Sequence, residues 1–211
     1  GMQEKVITLS AAKVIKEVLE KTGRYEVMLT RDRDIFLPLR QRFEIARRAR
    51  ADLFISLHAD SFKTSDVRGA SVYTLSERAS DREAALLAAK ENKADIIAGI
   101  DLQGEAPEVS SILIDLARRE TMNYSAHFAT LLVQELGEAV MLRRNTHRFA
   151  GFMVLKAPDV PSVLLEMGYL SNPQDAKALA TRASQEKIGH AIRRAVDNYF
   201  LKVASHQQSM L

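Results

Sequence analysis

Two short apolar runs of the chain end in side chains that could bind a metal or move a proton. Residues 54–58 read FISLH, so His58 closes the first run, and residues 161–166 read PSVLLE, so Glu166 closes the second. Imidazole is the commonest metal ligand among protein side chains, and a positioned carboxylate can accept a proton from water. Brought to one place, these two groups could serve as metal ligand and general base.

A purely structural role is the alternative for both residues. A single histidine that follows a strand is often only a hydrogen-bonded structural residue. Burying a carboxylate costs on the order of several kcal/mol unless it is paired or metal-bound. Because Glu166 follows five residues with few polar groups, the end of a strand facing a cleft is a natural position for it.

The runs that carry these residues alternate with amphipathic helices. Apolar residues recur at helical spacing in segments 8–22, 39–49 and 184–200, and β-prone runs occupy segments 25–30, 52–58, 70–75, 151–156 and 161–166. This alternation predicts an α/β fold, with a mostly parallel twisted sheet flanked by helices on both faces. Ligands of such sheets bind beyond the carboxyl ends of the strands, where we expect His58 and Glu166.

One long interval departs from the alternation. From about residue 76 to 136 the pattern is helical, with no β-prone run, which indicates a helical insertion between two strands of the sheet. We predict a single domain over residues 1–204, including this insertion, followed by a polar tail over residues 205–211 that frays.

Composition excludes several classes of protein. The chain has 211 residues, of which 46% are hydrophobic and 27% charged, as is usual for a globular domain. It has no cysteine, which excludes disulfides, iron–sulfur clusters and thiol catalysis. No apolar run approaches the roughly 20 residues of a transmembrane helix.

The net charge of +3 permits an anionic partner without requiring one. The arginines of segment 40–50 raise the hypothesis of nucleic-acid binding. They share a predicted helix with the inward-facing Phe43 and Ala46, and no aromatic stacking platform accompanies them. A solvated helix face explains them better, and we expect no nucleic-acid partner.

Two motifs carry a family resemblance. SLHAD at residues 56–60, after ADLFI, and PSVLLEMGYLSN at residues 161–172, after GFMVLKAPDV, resemble the two C-terminal signatures of zinc-dependent N-acetylmuramoyl-L-alanine amidases of the amidase_3 family. The resemblance covers nearly the whole chain. Its insertion is similar to that of the periplasmic branch of Gram-negative bacteria, which trims peptidoglycan during cell separation. It therefore implies a periplasmic peptidoglycan hydrolase that acts in cell division.

The resemblance also implies a zinc cofactor and its ligands. The family holds zinc by a histidine of a Gly-His-Gly-Gly loop, by a glutamate of a Glu-Lys pair at the start of the first helix, and by the histidine of SLHAD. The last two fall on Glu4 and His58, and the catalytic carboxylate of the family falls on Glu166. The Gly-His-Gly-Gly loop is absent, since it and the family's first strand would precede residue 1. We therefore expect the chain as given to be metal-poor and weakly active. His127 and His147 are interpreted as surface residues rather than as substitute ligands.

Regulation of the cleft is a further implication of the resemblance. In similar amidases a helix of the insertion blocks the zinc cleft until an activator protein displaces it, and segment 80–97 is the candidate here. Glu83 or Glu91 could reach the metal as an extra ligand, while an ordinary solvated helix face is the alternative for each. The rival function is a non-catalytic module that binds peptidoglycan or an activator.

Overall fold

The computed structural model describes residues 2–99 and 112–208. Its strands are β1 (Phe54–His58), β2 (Ala70–Leu75), β3 (Leu142–Ala150) and β4 (Ser162–Glu166). Its helices are α1 (Glu4–Glu20), α2 (Leu39–Arg48), α3 (Arg82–Glu91), α4 (Ala94–Ile97), α5 (Ile112–Gly137), α6 (Pro173–Leu179) and α7 (Arg182–Gln208). Among the helices so described, none is long and apolar enough to cross a bilayer.

The four strands form one sheet in the order β1-β4-β2-β3. β1 pairs in parallel with β4, and β2 pairs in parallel with β3, while β2 and β4 run antiparallel. The predicted α/β fold with a mostly parallel sheet is confirmed. The one antiparallel pairing has a geometric consequence, because it brings the amino ends of β2 and β3 to the same edge as the carboxyl ends of β1 and β4.

Helices cover both faces of the sheet. On one face Val163 and Leu165 of β4 pack with α1, α5 and α7, and on the other Leu164 packs with α2 and α3. Side chains of a strand alternate between its faces, so Glu166 lies on the face of Leu164, under α3. In the described part of interval 76–136, the regular structure after β2 is helical, as the sequence predicts.

The prediction of a strand over residues 151–156 is wrong. The strand is β3, which ends at Ala150, and Met153–Leu155 form a 3₁₀ turn. β3 is an outer strand of the sheet and is rich in arginine, so its low hydropathy does not mark it as a strand in the sequence. Phe152 and Leu155 are apolar because they pack into the core on the α2–α3 face.

The β-prone segment 25–30 forms no strand either. This segment and β1 both line a cavity of about 1040 Å³, so the segment runs beside β1 without pairing with it. A β-prone sequence forms a ladder only when a neighbouring edge lies within hydrogen-bonding distance.

The end of the chain differs in part from expectation. α7 continues to Gln208, through the first residues of the segment 205–211 that was expected to fray. Residues 209–211 lie outside the described part, and the domain boundary at 204 stays a prediction.

Candidate hydrolytic site

His58 and Glu166 are direct neighbours across two strands. They are register partners at the carboxyl ends of β1 and β4. Both side chains are buried, Glu166 completely. The amide of Asp60 donates to Glu166 Oε2 at 3.2 Å, while Glu166 Oε1 is buried with no hydrogen-bond partner among the described residues. A buried carboxylate oxygen without a donor indicates a place for a further group, such as water or a metal ion.

Glu4 joins this pair from the first turn of α1. Its Oε1 accepts a hydrogen bond from the amide of Ala59 at 3.1 Å and lies 3.2 Å from His58 Nδ1. On the opposite side of the imidazole ring, the hydroxyl of Ser56 lies 3.0 Å from Nε2. Ser56 therefore fixes the orientation of the ring and leaves Nδ1 facing the carboxylates.

α3 covers the site and adds a second carboxylate to the same nitrogen. Glu91 Oε2 lies 3.2 Å from His58 Nδ1, and the neighbouring Lys90 pairs with the buried Asp60. Glu83, at the other end of α3, lies away from this cluster. The structure thus brings Glu91 to His58 and does not bring Glu83.

Glu83 instead pairs with two arginines of β3. Its carboxylate accepts from both terminal nitrogens of Arg143, one of them at 3.1 Å, and from Arg148 at 2.7 Å. An acidic residue on an alanine-rich helix can face either the metal position or another cation, and sequence spacing does not separate the two.

The carboxylates shift the ionisation of the cluster. Burial alone would lower the pKa of His58, but the contact with Glu4 and the neighbouring negative charges outweigh it and raise this pKa to about 9. Burial would raise the pKa of Glu4, but the contact with His58 lowers it to about 2. For Glu166, burial and the nearby charges of Glu4 and Asp60 hold the pKa well above its usual value.

The donor chemistry of this cluster suits zinc. Zinc binds imidazole nitrogen and carboxylate oxygen in tetrahedral sites, and two ligands about 2.0–2.1 Å from such a metal lie roughly 3.3 Å apart. The separations of 3.2 Å from His58 Nδ1 to Glu4 and to Glu91 match that spacing. Within residues 2–99 and 112–208, no group of three or more His, Cys, Asp or Glu meets the requirements of a complete metal site. Glu4 and His58 are therefore suitable ligands of an incomplete set.

The other two histidines considered lie elsewhere. His147 lies within β3 rather than before a strand, and its Nε2 is 3.1 Å from the hydroxyl of Thr74. His127 lies on α5, half-buried, with its ring 6.2 Å from that of Tyr199. Local contacts account for the position of each.

Sequence reasoning missed two contributors to the site. Ser56 stands two residues before His58 in a strand, and this period of two places both side chains on one face, so the signal was present. The ion pair of Lys90 with Asp60 had no such signal, because the residues are distant in sequence and only the position of α3 brings them together.

Comparison with known proteins identifies the family. Residues 1–198 match the family described as Amidase_3: N-acetylmuramoyl-L-alanine amidase. The chain belongs to this family. This Amidase_3 chain is 37% identical over 201 residues to the amidase AmiA of Salmonella typhimurium, covering 95% of this chain and 69% of that protein. It is 36% identical over 199 residues to AmiC of Escherichia coli O6:H1, covering 94% of this chain and 48% of that protein. The chain thus spans 48% to 69% of the length of these relatives.

Solved structures of amidases share the fold. The amidase AmiC2 of Nostoc punctiforme matches with a TM-score of 0.61 and 27% identity, over 95% of this chain and 86% of that one. The CwlD amidase of Clostridioides difficile, solved in complex with the GerS lipoprotein, matches with a TM-score of 0.66 and 23% identity, over 95% and 87%. The second likeness concerns the fold alone.

Proposed function

We propose that this Amidase_3 chain is a zinc-dependent hydrolase of peptidoglycan, which cleaves the amide between N-acetylmuramic acid and L-alanine. The observation that carries the proposal is the buried Glu166 carboxylate beside the imidazole of His58, with one oxygen that has no hydrogen-bond partner among the described residues. The names of the relatives supply the bond that is cleaved.

The residues divide the chemistry between them. Glu4 and His58 would hold zinc, which polarises an amide carbonyl and lowers the pKa of water toward neutrality when bound. Glu166 accepts the proton of the attacking water and later gives it to the leaving amine. The raised pKa of Glu166 suits the first step, because a carboxylate with a higher pKa is a stronger proton acceptor. The amide of Asp60 fixes one oxygen of Glu166 and leaves the other to exchange the proton.

The reaction can be tested on purified peptidoglycan. The chain, supplied with zinc, is incubated with the polymer, and the soluble products are analysed by mass spectrometry. Peptides that begin with a free L-alanine amino group support the proposal. If the chain sediments with the polymer but neither it nor its Glu91→Ala variant, which lacks the contact of α3 with His58, releases such a peptide at any zinc concentration, it is instead the non-catalytic binding module of the rival hypothesis.

We further propose that α3 inhibits the site until a partner displaces it. Glu91 lies on the otherwise open side of His58 Nδ1. In the same turn of α3, Lys90 forms an ion pair with Asp60. Substrate cannot approach His58 from that side while α3 is in place. This would suit an enzyme of the periplasm that acts only when an activator protein binds, and GerS bound to CwlD is an example of an amidase with a protein partner.

A further inference from the structure

Glu83 occupies a complete carboxylate-binding site made by β3. Arg143 grips both oxygens of its carboxylate, and Arg148 binds one of them at 2.7 Å. Two parallel hydrogen bonds from a guanidinium fit the geometry of a carboxylate and add charge-assisted strength. The site is therefore specific for this chemical group.

The two guanidinium groups are held in place without Glu83. Arg143 stacks over the rings of Tyr169 and Phe62, at 5.4 and 5.8 Å from their centroids. Arg148 is buried, and one of its terminal nitrogens lies 3.5 Å from the hydroxyl of Tyr73. These contacts hold the cations in position, so the site is built by the sheet and its loops rather than by α3.

Among the described residues, the ion-pair partners of Arg143 and Arg148 all belong to α3 or to its N-cap. Within 4.0 Å, their ion pairs are with Glu83 and with Asp81, the residue that caps the start of α3. If α3 leaves, both carboxylates leave with it. The two cations then remain without an acidic partner among the described residues.

The position of this site relates it to the hydrolytic centre. Arg143 stacks on Tyr169, which follows Glu166 by three residues at the same edge of the sheet. Along α3, Glu83 and Glu91 are eight residues apart, or about 12 Å at the rise of an α-helix. An extended peptide spans that distance in about three to four residues.

We propose that Arg143 and Arg148 bind a carboxylate of the substrate peptide, three to four residues beyond the cleaved amide, and that Glu83 occupies their site while α3 covers the cleft. The inference rests on the proposed function, because it assumes that α3 moves aside. In this arrangement the Glu83 carboxylate mimics the carboxylate of the substrate. This explains why α3 places one carboxylate on the arginines and another on His58.

Binding of defined peptides tests the inference without any hydrolysis. The probes are N-acetyl-tetra-alanine with a free carboxylate, its C-terminal carboxamide, and N-acetyl-di-alanine with a free carboxylate, which is too short to span the distance. Each is titrated into the full chain without zinc and followed by nuclear magnetic resonance. In Glu83→Ala the tetra-alanine acid should bind at least about tenfold more tightly than its amide. The short acid can place its carboxylate on the arginines but cannot also reach the hydrolytic centre, so it should bind no more tightly than the tetra-alanine acid.

Matched variants identify the group responsible. Glu77→Ala removes an exposed carboxylate from the segment before α3. This variant should bind the tetra-alanine acid no more tightly than its amide. In Glu83→Ala/Arg143→Gln the preference should disappear. Equal affinity for acid and amide in folded Glu83→Ala overturns the inference, and so does a preference that survives the loss of Arg143.

A second variant guards against misfolding. If Glu83→Ala fails to unfold cooperatively, Lys90→Ala loosens the other end of α3 and leaves the arginines intact. It should gain a weaker preference for the acid, and no gain overturns the inference. Since these readings need no cleavage, a chain that binds the acid but never releases L-alanyl peptides refutes the proposed reaction and leaves the anion site standing.

Discussion

His58 and Glu166 stand opposite each other in the parallel register of β1 and β4, on the sheet face that α3 covers. Neighbouring strands lie about 4.8 Å apart, so a ligand held by His58 is within reach of Glu166. The distance is set by backbone pairing rather than by flexible side chains, and the backbone therefore defines the reactive geometry.

Replacement of Glu166 by glutamine should abolish hydrolysis without unfolding the chain. The amide side chain has the same shape and can still accept from Asp60, but it cannot take a proton from water. Loss of a general base lowers the rate by about 10²–10⁴-fold. The release of L-alanyl peptides measures the rate. Thermal unfolding should give an equal or higher midpoint, because burial disfavours the charged carboxylate. Residual activity near that of the unchanged chain would contradict the assignment.

Replacement of Ser56 by alanine should weaken zinc binding. The hydroxyl lies 3.0 Å from His58 Nε2 and holds Nδ1 toward Glu4. Loss of such a supporting hydrogen bond typically reduces metal affinity about 10–100-fold. Competition with a chelating dye measures the affinity. Ser162→Ala is the matched control, because Ser162 is also buried on this sheet face but bonds the carbonyl of Val160. Equal weakening in both variants would show a general effect on folding.

Replacement of Glu91 by alanine should raise the basal rate of peptidoglycan cleavage. The change removes the carboxylate that lies 3.2 Å from His58 Nδ1 and opens this side of the imidazole. A tenfold increase corresponds to about 1.4 kcal/mol of lost inhibition. The initial rates are compared at equal zinc content, with Glu77→Ala as the control for charge. A rate that stays at the level of the control would refute inhibition through Glu91.

Replacement of Asn92 by alanine should loosen α3 specifically. Its side chain donates to the carbonyl of Gly151 and accepts from the amide of Met153, each at 2.8 Å. Loss of the two bonds should cost about 1–2 kcal/mol. Hydrogen exchange should rise over residues 82–91 more than in the rest of the fold. Lys93→Ala, at the next and exposed position, is the control. Unchanged protection of α3 would show that Asn92 does not fasten it.

The sequence predicts β1, β4 and the edge of the sheet at which the site lies. β4 is buried on both faces, and β1 is buried on one face and partly buried on the other, so their apolar runs mark them and place His58 and Glu166 at their ends. The sequence pattern does not predict β3, because an outer strand that carries Arg143 and Arg148 has no apolar run. The sequence also does not predict whether Glu83 or Glu91 contacts His58, since this depends on where α3 lies against the sheet.

Segment 25–30 is the opposite case, because its sequence predicts a strand that does not form. Its residues favour a strand, but pairing is a tertiary property, and a cavity lies where a partner would have to be. Glu4 was placed by family resemblance alone. Its contact with His58 depends on the packing of α1 against β1, which no local pattern encodes.

Zinc binding between His58 and Glu4 can be observed by anomalous diffraction at the zinc absorption edge, from crystals of the chain grown with zinc. We expect one dominant peak about 2.0–2.2 Å from both His58 Nδ1 and a carboxylate oxygen of Glu4, on the side facing Glu166. Zinc bound only at other positions, with His58 and Glu4 still in mutual contact and no peak between them, would contradict it.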